Sequence, residues 1–219
     1  MISEIIPIWK PVNCTSFDVV KNVRDFIGFD KVGHAGTLDP FAEGLLMICT
    51  GSKTKDVERV MDQKKEYIAE IKLGSETDSL DSTGTVIYKK HIPKISNKQI
   101  METLSHYKGE IMQRPPSFSA LKINGIPLYK LARKDIFIHL KERKITIYDI
   151  QLISYLKDII KLKIICGRGT YIRTLARDIS RSLNTVGYLD KLIRTKIGDY
   201  SIDESIKIED LGIWLSAKI

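Results

Sequence analysis

Runs with the two-residue period of a strand and runs with the 3.6-residue period of a helix follow one another irregularly along this chain. Residues 67–73 alternate apolar and polar side chains, which is typical of a half-buried strand. Residues 145–153 and 159–166 are also strand-like, and we expect them to pair with each other. Residues 85–88 follow a polar turn, and we expect them to pair with the 67–73 strand.

Helical segments fall between these strands. One helix is expected to begin at a cap on Ser16 and to end at Gly28, and a second to begin at Ser96. A short helix is expected at about residues 127–133, and a longer one after Gly169. Because the order lacks the regular rhythm of a parallel sheet, the pattern predicts an α+β fold with a central mixed, largely antiparallel sheet flanked by helices.

The positive charge of the chain is concentrated in two segments. Lys and Arg number 35 against 27 Asp and Glu, a net charge of +8. Residues 108–145 carry nine basic and three acidic side chains, and residues 161–181 carry six and one. These segments sum to +11, so the remaining 160 residues sum to −3. This distribution suits a surface that faces phosphate, although a solvated face would have the same composition.

The composition and the spacing of reactive residues exclude several classes of protein. The hydrophobic fraction of 43% is that of a globular chain. The longest stretch without a charged residue has nine residues, far fewer than a membrane span needs, so we expect no membrane association. The three cysteines form no CxxC pair and suggest free thiols in a reducing cytoplasm. The four histidines lack the spacing of metal ligands, so no metal site is predicted.

The densest motif is Gly33-His-Ala-Gly-Thr-Leu-Asp-Pro-Phe-Ala-Glu-Gly-Leu-Leu46. Three glycines within twelve residues allow a tightly shaped loop and close approach of a ligand to the main chain. Asp39 precedes a proline, which keeps its backbone out of helical geometry and presents its carboxylate from a fixed position. Taken alone, the Asp-Pro pair is more typical of an ordinary turn than of a catalytic site.

Six blocks in a fixed order give the chain a family resemblance. Residues 33–46 resemble the catalytic motif of the bacterial tRNA pseudouridine synthase B family, Gly-His-x-Gly-x-Leu-Asp-Pro-x-Ala-x-Gly. The other five blocks are Lys10-Pro-Val-Asn-Cys-Thr-Ser16, Lys65-Glu-Tyr67 with Leu73-Gly-Ser-Glu-Thr-Asp-Ser-Leu-Asp81, Arg114-Pro-Pro-Ser-Phe-Ser-Ala-Leu-Lys122, Gly169-Thr-Tyr-Ile-Arg-Thr174 and Leu192-Ile-Arg-Thr195. Together they extend over residues 10–195, nearly the whole chain.

The resemblance implies an enzyme that isomerises uridine 55 in the T-loop of tRNA to pseudouridine, with neither cofactor nor metal. It implies Asp39 as the nucleophile, and it leaves open whether the carboxylate adds to C6, traps C1′ or assists a glycal-like intermediate. Arg173 is implied as the cation that keeps this carboxylate ionised. Tyr67 is implied as the aromatic residue that stacks on the target uracil.

Further residues are implied to bind the substrate. His34 is expected to fill the space that flipped bases leave, and Lys10 to support the pocket. The basic segment 108–145 corresponds to the thumb insertion of the family and is expected to contact tRNA phosphates. The substrate-binding residues implied by the resemblance are His34, Tyr171, Leu192, Lys10, Lys122, Lys130 and Arg133.

The resemblance also sets expectations about domain organisation. Residues 1–200 are expected to form a pseudouridine-synthase catalytic domain, followed by a short tail over residues 201–219 that ends in a helix. The C-terminal RNA-binding module common in the family is expected to be absent. We expect a cytoplasmic monomer that acts on the T-arm and T-loop of tRNA. The alternatives are a synthase guided by a separate RNA and a non-catalytic tRNA-folding protein.

Overall fold

The computed structural model of the protein describes residues 3–28, 31–134 and 136–217. The strands are β1 (Ile5–Lys10), β2 (Val32–Ala35), β3 (Glu43–Thr50), β4 (Lys65–Leu73), β5 (Ser75–Thr77), β6 (Val86–Lys89), β7 (Gly109–Gln113), β8 (Lys122–Ile123), β9 (Ile126–Pro127), β10 (Arg143–Leu156), β11 (Ile159–Cys166), β12 (Gly187–Ile197) and β13 (Tyr200–Ser201). The α-helices are α1 (Ser16–Ile27), α2 (Val57–Asp62), α3 (Asn97–Ser105), α4 (Leu128–Ala132), α5 (Ile172–Ser182) and α6 (Leu211–Ser216). Short 3-10 helices cover Gly51–Asp56, Ile202–Glu204 and Ile208–Asp210.

The chain divides into two compact units. The first contains Met1–Ile68 and Leu192–Ile219, and the second contains Ala69–Lys191. Both boundaries fall inside strands, one within β4 and the other within β12.

The first unit is built on β3. This strand pairs antiparallel with β1 on one side and with β2, whereas its pairing with β12 is parallel, at Ile193↔Glu43 and Arg194↔Gly44. Seven of the eight residues of β3 are buried, because helices α1 and α6 cover one set of its side chains and α2 the other. Val19, Val20 and Val23 of α1 pack against the strands at helical spacing.

The second unit has a sheet in which β10 lies between β7 and β11. Both of these pairings are antiparallel, and β4 lies on the other side of β11. Helix α3 buries Ile100 and Leu104 beside β10, and α5 buries an apolar stripe that includes Leu175 and Ile179. Two small antiparallel pairs, β5 with β6 and β8 with β9, lie outside this sheet.

The predicted fold class is confirmed: the sheet is mixed and largely antiparallel, with helices packed on it. The expected pairing of residues 145–153 with 159–166 is also confirmed. Two local predictions are wrong. The residue that caps α1 is Thr15, whose side chain accepts a hydrogen bond from the Asp18 amide. Residues Val86–Lys89 pair with β5 and not with β4, because the turn at residues 78–84 folds them back onto β5, the strand that directly precedes it.

No helix in the described ranges is long and apolar enough to cross a membrane.

Candidate functional site

The residues singled out from the sequence divide equally between the two units. Lys10, His34, Asp39, Tyr67 and Leu192 belong to the first unit. Lys122, Lys130, Arg133, Tyr171 and Arg173 belong to the second.

The loop between β2 and β3 carries Asp39, and helix α1 holds this loop in place. The Ser16 hydroxyl accepts a hydrogen bond from the Leu38 amide at 2.9 Å and donates one to the Leu38 carbonyl at 3.1 Å. On the other side of Asp39, the Pro40 carbonyl accepts a hydrogen bond from the Asn13 amide at 2.8 Å. The backbone is therefore fixed on both sides of the carboxylate, which is itself half-buried.

The two ends of this loop are joined by Arg194, a fully buried side chain of β12. Its Nε donates to the Leu45 carbonyl at 2.7 Å, and its Nη2 donates to the Gly36 carbonyl at 3.0 Å. Gly44 allows this approach: it has φ +110°, and a Cβ there would lie 2.5 Å from the Arg194 carbonyl oxygen. The glycine of the motif is thus required by the close contact between β3 and β12.

The fully buried side chain of Lys10 bonds to backbone carbonyls on and beside this loop. Its Nζ donates to the carbonyls of Cys14 at 2.6 Å, Pro11 at 2.7 Å and Pro40 at 3.4 Å. Burial lowers the pKa of Lys10 to about 8, and the nearby charge of Asp39 opposes part of that shift. Lys10 therefore holds three backbone carbonyls in place. Its expected role in supporting the substrate pocket stays a prediction.

Three other residues of the first unit are largely buried. His34 lies on β2, and its Nδ1 is a buried atom with no hydrogen-bond partner among the described residues. Burial lowers the pKa of His34, and the charge of Arg194 lowers it further, so the imidazole is neutral near pH 7. Tyr67 and Leu192 are buried on β4 and β12 respectively, where the alternation of each strand points them inward.

Arg173 is a buried cation at the start of α5, with 4% of its surface exposed. Its Nη1 donates to the Ser79 carbonyl at 2.9 Å, and its Nη2 donates to the Phe118 carbonyl at 2.7 Å. Its Nη1 also lies 3.4 Å from Oδ2 of Asp81, a buried carboxylate. A buried guanidinium needs such partners, because an unpaired one would cost several kcal/mol.

The acidic turn that precedes β6 orients Asp81. The Oδ1 of Asp81 accepts hydrogen bonds from the Ser79 hydroxyl at 2.7 Å, the Thr83 hydroxyl at 2.6 Å and the Thr83 amide at 3.0 Å. This leaves Oδ2 directed at Arg173. Asp81 thus connects the turn to the start of α5, a connection that sequence reasoning missed.

Tyr171 is fixed through its backbone. The Gln113 side chain accepts from the Tyr171 amide at 2.8 Å and donates to the Tyr171 carbonyl at 3.1 Å. This pair of bonds joins the end of β7 to the residue that precedes α5. The backbone that carries the half-buried Tyr171 side chain is therefore fixed, two residues before Arg173.

The basic segment 108–145 contains two kinds of cation. Lys108 and Lys144 lie 3.0 Å from Asp149 and Glu110, and Arg114 lies 3.3 Å from Glu142. In contrast, the following residues are exposed and come within 4 Å of no carboxylate in the described ranges: Lys122, Lys130, Arg133 and Lys134. Arg133 lies 5.6 Å from the centre of the Tyr129 ring, so helix α4 presents a cation over an aromatic face.

Three residues hold backbone or side chains of the site in ways that their sequence patterns do not predict. The patterns predict a helix cap at Ser16, a family block at Arg194 and a polar turn at Asp81. The blocks that resemble the family contain all three, and that was the available signal. Among the residues that the structure describes, no group of three or more His, Cys, Asp or Glu side chains could hold a metal ion.

Comparison with known proteins shows which family this chain resembles. Residues 24–172 match the family described as TruB family pseudouridylate synthase (N terminal domain). The tRNA pseudouridine synthase B of Clostridium tetani is 44% identical over 96% of this chain and 73% of its own length. The protein of the same name from Francisella tularensis subsp. tularensis (strain WY96-3418) is 41% identical over 96% of this chain and 70% of its own length.

A solved structure is similar as well. The crystal structure of a Cbf5–Nop10–Gar1 complex contains a chain with a TM-score of 0.75 and 25% identity. The likeness covers 98% of the present chain and 56% of that one. The expected pseudouridine-synthase fold is thereby confirmed. With a family match over residues 24–172 and relatives more than 40% identical, the chain belongs to the TruB family of pseudouridylate synthases.

Proposed function

We propose that this protein isomerises uridine 55 in the T-loop of tRNA to pseudouridine, with Asp39 as the nucleophile. The observation that carries the proposal is the fixed loop around Asp39, which is bonded to α1 through Leu38 and Pro40. A nucleophile held by its backbone can meet the reacting carbon without a search for the correct orientation. The names of the relatives, tRNA pseudouridine synthase B, support tRNA as the substrate.

The reaction needs a group that stabilises or traps the ribosyl or uracil fragment while the base turns. The C1′–N1 bond breaks, the uracil rotates, and C1′ joins C5. A carboxylate serves all three routes, by adding to C6, by trapping C1′ or by assisting a glycal-like intermediate. Arg173 keeps the carboxylate ionised in this proposal, because a guanidinium stays charged when it is buried.

The base must leave its stack before it can react, at a cost of about a few kcal/mol. Tyr67 stacks on the uracil, and the neutral ring of His34 fills the space that the flipped bases leave. In this proposal Tyr171 and Leu192 line the uracil pocket, and Lys10 supports it through its bonds to backbone carbonyls. Lys122, Lys130 and Arg133 contact phosphates of the T-arm, which is consistent with their exposure.

A guide-RNA mechanism receives less support. One similar solved structure is described as an H/ACA RNP bound to a substrate RNA, but its identity to this chain is 23%, whereas the tRNA enzymes reach 44%. We also propose, from the family resemblance, that the protein acts as a monomer, needs no metal and finds its target through T-arm shape. Its three cysteines are free thiols, which supports a reducing cytoplasm as its location.

The test is direct. Purified protein is incubated with an unmodified tRNA transcript and no other RNA, and pseudouridine is mapped along the transcript. We expect product at position 55 from the wild type and none from Asp39→Asn, with tRNA binding retained within a few-fold. Asp199→Asn changes an exposed carboxylate in the same unit and serves as the control. Absence of product from the wild type on several tRNAs would overturn the proposal, and turnover by Asp39→Asn would remove Asp39 from its role.

A further inference from the structure

Residues 89–98 form a third basic segment, which lies outside the two described above. It has the sequence Lys89-Lys-His-Ile-Pro-Lys-Ile-Ser-Asn-Lys98, which contains four lysines and no acid. The side chains of Lys89, Lys90, His91, Lys94 and Lys98 are all exposed. Tyr88, which precedes them, is 56% exposed. Lysines interspersed with aromatic rings are typical of surfaces that contact nucleic acid.

The lysines of this lysine segment (residues 89–98) do little for the fold. Within the described ranges only Lys98 approaches a carboxylate, that of Glu102 at 3.9 Å, with both side chains largely exposed. Lys98 lies in the first turn of α3, which has no acidic residue, and the helix dipole disfavours a cation there. Lys89 could serve to protect the edge of β6, but the other three lysines lie off that strand.

The backbone of the lysine segment is nevertheless fixed. The Lys90 amide donates to the Gly74 carbonyl at 3.1 Å, and the Thr185 hydroxyl donates to the His91 carbonyl at 3.0 Å. At the other end, Ser96 and Gln99 form a capping box at the start of α3. A partner would therefore meet cations whose backbone positions are already set, which lowers the ordering cost of binding.

The position of the segment relative to Arg173 follows from α5. Arg173 is the second residue of this helix, and Thr185, which holds the segment, lies just beyond its last residue, Ser182. At about 1.5 Å per residue, the nine steps from Arg173 to Ser182 cover roughly 14 Å.

A cavity of about 300 Å³ opens beside the lysine segment. Its lining is mixed: polar groups of Thr103, His106, Ser182 and Asn184 alternate with the apolar side chains of Pro93, Ile95 and Leu183, and Glu102 contributes a carboxylate. The hydroxyl, amide and imidazole groups can hydrogen-bond to the ribose 2′-hydroxyls of RNA. The cavity therefore suits ribose groups of an RNA backbone, and the exposed lysines beside it suit the phosphates.

We propose that the lysine segment binds phosphates of the tRNA outside the T-loop, at a position about 14 Å along α5 from Arg173. This inference rests on the proposed function, because it takes tRNA as the substrate. The surface supplies affinity for the whole tRNA and takes no part in the chemistry at Asp39.

The test compares two variants with the same change in charge. In one, Lys89, Lys90, Lys94 and Lys98 are replaced by Gln; in the control, the exposed lysines of the first unit Lys31, Lys55, Lys196 and Lys207 are replaced by Gln. Binding of whole unmodified tRNA and of a T-loop on a three-base-pair stem is measured at a series of salt concentrations. Product formation on both RNAs is measured separately.

For whole tRNA we expect the lysine-segment variant to lose about 3 units of the slope of log K against log salt, and to bind at least about tenfold more weakly at low salt. On the short stem-loop its affinity and turnover should equal those of the wild type. An unchanged slope on whole tRNA, or an equal loss in the control variant, would overturn the proposal. Failure of the proposed function would appear differently, as absence of pseudouridine from the wild type, while the binding measurements would still decide the role of the lysine segment.

Discussion

The hydroxyl of Ser16 bonds to both backbone groups of Leu38, the residue that precedes Asp39. Ser16 is buried at the start of α1. Its hydroxyl therefore ties the loop that carries the proposed nucleophile to the helix. We expect the stability of this loop and the rate of the proposed reaction to depend on the same two hydrogen bonds.

We expect Ser16→Ala to lower kcat by about tenfold or more, because a carboxylate displaced by about an ångström loses its alignment. It should also lower the free energy of unfolding by about 1–3 kcal/mol, since the Leu38 amide and carbonyl lose their partner. Thr15→Ala is the control: it removes the helix cap at a cost of about 1 kcal/mol and leaves Leu38 untouched. Urea unfolding measures the free energy of unfolding of each variant, and turnover assays measure its kcat. If the two variants have the same kcat, the hydroxyl of Ser16 does not position Asp39.

Asp81 is expected to position Arg173 through their contact. In Asp81→Asn an amide oxygen can keep the bonds from Ser79 and Thr83, but an amide group then faces the guanidinium where a carboxylate was. We expect kcat to fall by about tenfold or more while the Kd for tRNA stays within a few-fold. Asp78→Asn, in the same turn but exposed, should leave kcat unchanged. A larger change in Kd than in kcat would count against this role.

The lowered pKa of Lys10 makes a prediction about stability and pH. Its pKa is about 8 in the folded protein and 10.5 ordinarily, so between these pH values the folded state binds fewer protons than the unfolded state. The free energy of unfolding must then rise with pH over this window. We expect the free energy of unfolding of the wild type to rise relative to that of Lys10→Met by on the order of 3 kcal/mol from pH 8 to 10.5.

Urea unfolding at several pH values measures this difference, and Lys196→Met, an exposed lysine on the same strand as Arg194, gives the baseline. If the difference in free energy of unfolding between wild type and Lys10→Met does not change between pH 8 and 10.5, Lys10 does not lose its proton in this range in the folded protein.

The basic segment 108–145 should contribute to tRNA binding only through its exposed cations. Replacing Lys130 and Arg133 by Gln should reduce the salt slope of tRNA binding by about 1.4 to 1.8, which corresponds to two phosphate contacts. Replacing Lys108 and Lys144 by Gln makes the same charge change in the same segment, but these two already face Asp149 and Glu110. Equal salt slopes for the two double variants would contradict the prediction that only the exposed cations without a carboxylate partner contact tRNA phosphates.

The sequence by itself indicated those helices and strands whose burial on one face leaves a periodic pattern in neighbouring residues; fully buried strands such as β3, which have no such alternation, were not predicted. The pairing of β10 with β11 and the apolar stripe of α5 were predictable for this reason. It also determined the family, since the blocks around Asp39, Tyr67 and Arg173 occur in a fixed order. Their roles in catalysis remain predictions.

The tertiary structure alone decided which polar groups meet. Ser16 bonds to a residue 22 positions away, and Arg194 bonds to carbonyls 149 and 158 positions away. No periodicity records such partners, because a hydrogen bond depends on where two distant backbones come together. The two wrong predictions have another cause, because both concern local partners. Thr15 caps α1 through Asp18, three residues later, and residues 85–88 follow a turn that folds them onto β5, the strand directly before it.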